Sequence, residues 1–76
     1  MINKINKLLE KINGEVETYC INKSIYGDEY FSINIEISEE EANIFCDNDL
    51  DKKIVNLTYF EIERENNKTI LYLNFN

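Results

Sequence analysis

Residues 54–75 read IVNLTYFEIERENNKTILYLNF, and this stretch decides the fold class. Apolar and polar residues alternate on both sides of Asn66-Asn67, a pattern typical of strands with one buried face. Because Asn tolerates the positive φ of a tight turn, the stretch predicts a hairpin of strands 54–64 and 68–75. The apolar phase changes between Tyr59 and Phe60, which predicts a β-bulge.

The two-residue turn fixes which side chains share a face of this hairpin. One face pairs apolar residues across the strands: Ile62 with Leu71, Phe60 with Leu73, and Thr58 with Phe75. The other face pairs Glu63 with Ile70, Glu61 with Tyr72, and Tyr59 with Asn74. This second face is half apolar, and such a face on a small domain often marks a contact between copies. Tyr59, Ile70 and Tyr72 are therefore the candidate oligomer contacts.

Upstream of this hairpin, the pattern predicts a helix followed by another hairpin. Apolar residues repeat at helical spacing over residues 2–12, and Gly14 offers a left-handed end to that helix. Residues 16–24 and 29–37 read as strands, the second with strict alternation in YFSINIEI. A three-residue loop at 25–27 places Ile21 opposite Phe31 and Tyr19 opposite Ile33.

Residues 39–47 predict a short second helix. Ser38 stands at the N-cap with Glu41 three residues later, which is the capping-box arrangement. Ala42, Phe45 and Cys46 are expected to face inward. The order helix, hairpin, helix, hairpin predicts a single α+β domain over residues 1–76, with a four-stranded, mostly antiparallel sheet and helices on one face.

The composition disfavours most catalytic chemistry. The chain has no histidine, two glycines and two cysteines in 76 residues, so nucleophile–histidine pairs, zinc sites and Gly-rich phosphate loops are not expected. A carboxylate-only enzyme is the remaining alternative, but so short a chain offers little room for a cleft. We expect no enzyme activity and no cofactor. Reduced cysteines, no apolar leader and no apolar run of about 20 residues predict a cytoplasmic protein.

The spacing Asp47-x-Asp49-x-Asp51 is a weak candidate for a calcium site. Alternating aspartates open the EF-hand loop, and Ile54 occupies its hydrophobic position. However, Lys52 stands where that loop needs glycine and Thr58 where it needs the bidentate glutamate. The alternative is a solvated acidic loop.

Negative charge is concentrated in one part of the chain. The segment from Ser24 to Asp51 contains nine acids and no Lys or Arg, whereas the chain as a whole carries −7. Such separation favours a one-sided field, either as a solvated surface or as a site for a partner with a basic groove. Direct binding of nucleic acid is disfavoured, and no membrane contact is expected. The candidate partner-binding residues are Asp28, Glu29, Glu36, Glu39, Glu40, Asp47, Asp49 and Asp51.

In size, acidity and its acidic stretch DEYFSINIEISEEEANIFCDNDLD (residues 28–51), the chain resembles phage- and plasmid-encoded inhibitors of bacterial defence, such as anti-CRISPR and anti-restriction proteins. These inhibitors share no motif, so the resemblance assigns no residue a role. It implies a non-enzymatic inhibitor that covers the basic nucleic-acid-binding surface of a nuclease complex in the host cytoplasm. The alternative is a small homo-oligomeric structural or regulatory module whose target is unrelated to nucleic acid.

Overall fold

The computed structural model describes residues 2–23 and 30–76, with residues 22 and 23 described by their backbone only. Within these residues, two α-helices and a short 3-10 helix accompany one antiparallel sheet. In chain order the elements are α1 (Ile2–Lys23), β1 (Phe31–Ile37), α2 (Glu39–Asp47), the 3-10 helix (Leu50–Lys53), β2 (Leu57–Glu65) and β3 (Lys68–Phe75).

The first helix is twice as long as predicted. It spans 22 residues and passes through Gly14, so the helix end at Gly14 and the strand over 16–24 were both wrong. Leu8 and Ile12 are buried against the core, and the partly buried Val16 and Tyr19 extend their stripe at helical spacing. This spacing of four, four and three residues keeps one face on the core.

The sheet has three strands in the order β1-β3-β2, which corrects the prediction of four. Because residues 16–23 are helical, β1 cannot pair with them, and it lies antiparallel to β3 instead. The predicted facing of Ile21 with Phe31 and of Tyr19 with Ile33 is therefore wrong. The predicted loop at 25–27 lies outside the described residues. β3 is the central strand, with β1 and β2 on either side.

The closing hairpin agrees with its prediction from Leu57 onward, whereas residues 54–56, predicted as the start of the strand, precede β2. Asn66 and Asn67 both have positive φ, 51° and 62°, as a tight turn between twisted strands requires. The predicted pairs from Glu63–Ile70 to Tyr59–Asn74 are confirmed. The pair Thr58–Phe75 is wrong because the predicted bulge falls at Thr58, which brings Leu57 opposite Phe75.

The second helix begins and ends where the sequence predicts. Ser38 Oγ accepts from the Glu41 amide, and a Glu41 carboxylate oxygen accepts from the Ser38 amide at 2.9 Å. Ala42 and Phe45 are buried as expected. Cys46 is exposed, and Ile44 is buried instead, so the inward face of α2 was misassigned by this one residue.

The core lies between the helices and one face of the sheet. Phe45, Leu50, Leu71 and Leu73 are fully buried at its centre. An aromatic column fixes the distal half of α1 to the sheet: Tyr19 stacks on Phe31 at 4.5 Å between ring centroids, and Phe31 stacks on Phe75 at 4.7 Å. Since both helices pack on this face, the other face of the sheet carries no element among the described residues.

Candidate interaction surface

The uncovered side of the sheet, here called the open face, is built by strict alternation along the three strands. On β3, Thr69, Leu71, Leu73 and Phe75 point into the core, while the residues between them are only half-buried. The same alternation leaves the polar residues of β1 exposed. The open face comprises Ser32, Asn34, Glu36, Tyr59, Glu61, Glu63, Ile70, Tyr72 and Asn74.

The strand register arranges these nine residues in three rows. The rows, each written from β1 through β3 to β2, are Glu36–Ile70–Glu63, Asn34–Tyr72–Glu61 and Ser32–Asn74–Tyr59. Cα atoms facing each other across antiparallel strands are about 4.5–5.5 Å apart, so side chains within a row are in reach of one another. In the third row, Ser32 Oγ donates to Asn74 Oδ1 at 2.6 Å.

The centre of the open face is apolar and aromatic. Ile70 and Tyr72 are half-buried on the central strand, and Tyr59 on the neighbouring strand is 54% exposed. These are the three residues that the sequence predicted as oligomer contacts, and the structure places them together on one surface.

The flanks of the open face are acidic. Glu36 stands on one side of the central strand, and Glu61 and Glu63 stand on the other. None of these three carboxylates is in an ion pair within the described residues. Arg64 follows Glu63 on β2 but bonds to Glu39, and Lys11 Nζ donates to the backbone carbonyl of Glu36 at 2.9 Å. Lys68 lies opposite Glu65 at the turn end of the hairpin. The face therefore combines an apolar centre with carboxylates on both sides that form no ion pair within the described residues.

The surroundings of Tyr72 on the open face shift the pKa of its hydroxyl. Removal of its hydroxyl from water raises the pKa of Tyr72 above its ordinary value of 10.0, and the negative charges of Glu63, Glu65 and Glu61 raise it further. Both causes disfavour a further negative charge at this position. The same field favours a positive group placed over the ring.

Other glutamates of the predicted acidic face are engaged inside the molecule. Arg64 Nε on β2 lies 2.8 Å and 3.0 Å from the two carboxylate oxygens of Glu39, and the Thr69 hydroxyl also donates to Glu39. Glu40 pairs with Lys4 of α1. The first turn of α2 thus offers a partner much less negative charge than its sequence suggests.

The hydrogen bond from Arg64 lowers the pKa of Glu39 below 4.5, and the bond from Thr69 lowers it further. The same contact raises the pKa of Arg64. The two groups therefore stabilise each other's charged forms at the point where α2 meets the sheet.

The predicted aspartates lie at the opposite end of α2. An α-helix rises about 1.5 Å per residue, so Asp47 is about 12 Å along the axis from Glu39. Asp49 follows in a left-handed conformation, with φ of 50°, and Asp51 lies in the 3-10 helix. Within residues 2–23 and 30–76, no three His, Cys, Asp or Glu side chains are grouped to hold a metal ion. Asp47, Asp49 and Asp51 are not brought together as a set of ligands.

The six predicted partner-binding residues that the structure describes do not lie together on one surface. Asp28 and Glu29 lie outside the described residues. Of the remaining six, only Glu36 joins the open face, while the others sit at the two ends of α2 or just beyond it. The sequence reasoning did not propose Glu61 and Glu63 as partner contacts. The signal was present, because the predicted hairpin register already placed them opposite Tyr72 and Ile70, but charge was counted along the chain instead of across the strands.

A second concave feature lies at the hairpin turn. It is a shallow groove of about 400 Å³, lined by Glu39, Thr69 and residues 64–68. Its strongest charges, those of Arg64 and Glu39, already bond to each other. Its remaining charged residues, Glu65 and Lys68, are of opposite sign and face each other across the turn.

No protein family, no curated protein and no solved structure matches the chain. Neither α1 nor any other helix in the described part of the chain combines the length and apolar character needed to cross a membrane.

Proposed function

We propose that this chain is a non-enzymatic protein-binding domain that covers a basic surface of a partner with its open face. One observation carries the proposal: the exposed Tyr59 and the half-buried Ile70 and Tyr72 stand between unpaired glutamates on both neighbouring strands. Protein interfaces typically combine an apolar or aromatic centre with a polar rim. Here the charged residues beside the apolar centre, Glu36, Glu61 and Glu63, are all acidic, which favours a partner with a basic surface.

The charge of the whole chain supports the same partner. The chain carries −7 and has a pI near 4.4. A net field of this size repels nucleic acid and accelerates encounter with a cationic protein surface. Close to contact, Glu36, Glu61 and Glu63 are then positioned to meet Lys or Arg side chains directly.

Within this proposal, the partner is a protein whose basic surface ordinarily binds nucleic acid. Such surfaces contact phosphates through Lys and Arg, and carboxylates can compete for the same groups. The resemblance in type to anti-CRISPR and anti-restriction proteins leads us to place the target among bacterial defence nuclease complexes, and the site of action in the host cytoplasm. The chain then acts as an inhibitor by excluding nucleic acid.

The alternative is self-association of the open face. The exposed Tyr59 and the half-buried Ile70 and Tyr72 favour a contact of some kind. A second copy, however, presents the same glutamates, and like charges across an interface are destabilising. The acidic flanks therefore favour a basic partner over another copy. Light scattering that shows a stable dimer at micromolar concentration and moderate salt would instead support the oligomeric module.

The proposal is tested by capture from a bacterial host lysate. The purified chain is the bait, and bound proteins are identified by mass spectrometry. We expect a nucleic-acid-binding protein that competing DNA or high salt releases. We expect it to be lost from a Glu61→Gln/Glu63→Gln bait and kept by an Asp47→Asn/Asp49→Asn bait, which loses the same formal charge at the end of α2. A captured protein that DNA does not displace would contradict the proposal.

A further inference from the structure

Tyr72 occupies the central position of the open face. It stands in the middle row on the central strand, with Glu61 directly opposite on β2 and Asn34 directly opposite on β1. Two residues from Tyr72 along β3, Ile70 has Glu63 and Glu36 opposite it. The ring of Tyr72 thus has one carboxylate beside it and two at diagonal positions, on both sides of its strand.

The spacing of these carboxylates suits a flat cation lying across the ring. Glu61 and Glu63 are two residues apart on β2, so their Cα atoms lie about 7 Å apart along the strand. Diagonal neighbours across antiparallel strands lie about 7–8 Å apart, which long side chains span. A group stacked on Tyr72 can therefore touch the ring and one or two carboxylates at once.

Arginine fits this arrangement better than lysine. Its guanidinium is planar, stacks on aromatic faces, and donates two parallel hydrogen bonds to one carboxylate. The lysine ammonium is compact and strongly hydrated, so it cannot cover the ring and bind a carboxylate in two places. The half-buried Ile70 beside Tyr72 provides an apolar surface for the arginine methylenes.

We propose that the open face recognises an arginine side chain of the partner, which stacks on Tyr72 and pairs with Glu61 or Glu63. This inference rests on the proposed function and specifies its partner chemistry. Glu36 contributes from the other side of the central strand, where it holds a second basic side chain or the far edge of the same guanidinium. Tyr72 is the residue that distinguishes arginine from lysine, and the glutamates supply the charge that either cation needs.

The inference is tested with two peptides of equal charge. One is acetyl-Ser-Arg-Ser-Arg-Ser-Arg-amide, and the other replaces every arginine with lysine. Each is titrated into the 15N-labelled chain at low ionic strength. We expect amide shifts centred on Glu61, Ile70 and Tyr72, with the arginine peptide binding about five- to tenfold more tightly than the lysine peptide.

Two variants separate the ring from the charge. Tyr72→Phe keeps the ring, so we expect it to keep the preference for arginine. Tyr72→Leu removes the ring while retaining an apolar side chain, and we expect its affinity for the arginine peptide to fall to that for the lysine peptide. A folded Tyr72→Leu that retained the preference would overturn the assignment.

The peptide titrations test arginine recognition independently of the proposed function. Equal affinity of the wild-type chain for both peptides, or arginine-peptide shifts confined to the ends of α2, would overturn arginine recognition at Tyr72. Capture of a DNA-displaceable protein through Glu61 and Glu63 would still stand in that case. Loss of that capture result would instead remove the proposed function itself.

Discussion

Glu39 and Arg64, twenty-five residues apart in the sequence, join the start of α2 to β2 through two contacts of 2.8 Å and 3.0 Å. Glu39 belongs to the longest acidic run of the chain, and its charge is used inside the fold. Glu61 and Glu63, which precede Arg64 on the same strand but point to the other face, form no ion pair within the described residues. Successive side chains of β2 point to opposite faces of the sheet. Arg64 therefore forms an ion pair inside the fold, while Glu61 and Glu63 lie on a surface that is available to a partner.

Replacement of Glu39 by Gln is expected to reduce stability in a pH-dependent way. The folded state lowers the pKa of Glu39 below 4.5. Its contribution is therefore complete above the unfolded value and is lost as pH falls through the lower folded-state value. The free energy of unfolding, measured in urea, should differ more between wild type and Glu39→Gln at pH 7 than at pH 3. The loss of unfolding free energy in Arg64→Gln should likewise be smaller at pH 3 than at pH 7. A loss that does not depend on pH would contradict the ion pair between Glu39 and Arg64.

Replacement of Gly14 by Ala is expected to stabilise the chain. Gly14 lies inside α1, and an added Cβ would meet no atom within 4 Å. Alanine in an exposed helix interior is favoured over glycine by about 0.5–1 kcal/mol. Urea denaturation should show the increase in the free energy of unfolding. A loss of stability would indicate that position 14 is not helical and would support the shorter helix that the sequence predicted.

The stretch after Gly14 was assigned wrongly because its apolar residues fit both the period of a strand and that of a helix. The predicted strand put Tyr19 and Ile21 on one face, while Leu8, Ile12, Val16 and Tyr19 follow a helix. Gly14 favoured a break, but its exposed position tolerates the helix at modest cost. The core decided between them, since only the helical reading brings Tyr19 onto Phe31. The closing hairpin had no such ambiguity, because the Asn66-Asn67 turn and the alternation agree.

The aromatic column is expected to hold the second half of α1. Tyr19 stacks on Phe31, which in turn stacks on Phe75. Aromatic pairs contribute about 0.5–1.5 kcal/mol beyond their area burial, so Tyr19→Ala should cost about 1–3 kcal/mol in unfolding free energy. Tyr30→Ala is the matched control, since Tyr30 is 72% exposed and its loss should change stability by less than about 0.5 kcal/mol. Equal effects of the two substitutions would contradict the column.

The pKa of Tyr72 is expected to fall when Glu63 is neutralised. After removal of its hydroxyl from water, the charge of Glu63 is the largest cause of the raised pKa of Tyr72. NMR titration of the Tyr72 ring carbon should show a lower pKa in Glu63→Gln than in the wild type. Glu17→Gln on α1 removes the same charge from the other side of the sheet and should leave the Tyr72 titration unchanged. An unchanged titration in Glu63→Gln would mean that the carboxylate does not reach the ring.

The candidate site was predictable in part. The sequence placed Tyr59, Ile70, Tyr72, Glu61 and Glu63 on one face of the closing hairpin, and the structure confirms that grouping. The strand over 29–37 was predicted but was paired with residues 16–24, and its long-range pairing beside β3 was missed. That pairing adds Glu36 to the open face. Linear charge counting then favoured α2, where contacts with Arg64 and Lys4 cannot be seen in the sequence.

The most direct test compares the affinity of the captured partner for two charge-matched variants, measured by calorimetry at moderate salt. We expect Glu61→Gln/Glu63→Gln to weaken binding by about tenfold or more, because these carboxylates contact the partner's cations. Asp47→Asn/Asp49→Asn removes the same formal charge and should weaken binding by less than about threefold, through the long-range field alone. Equal losses from the two variants, or a larger loss from the aspartate variant, would contradict the open face as the binding surface.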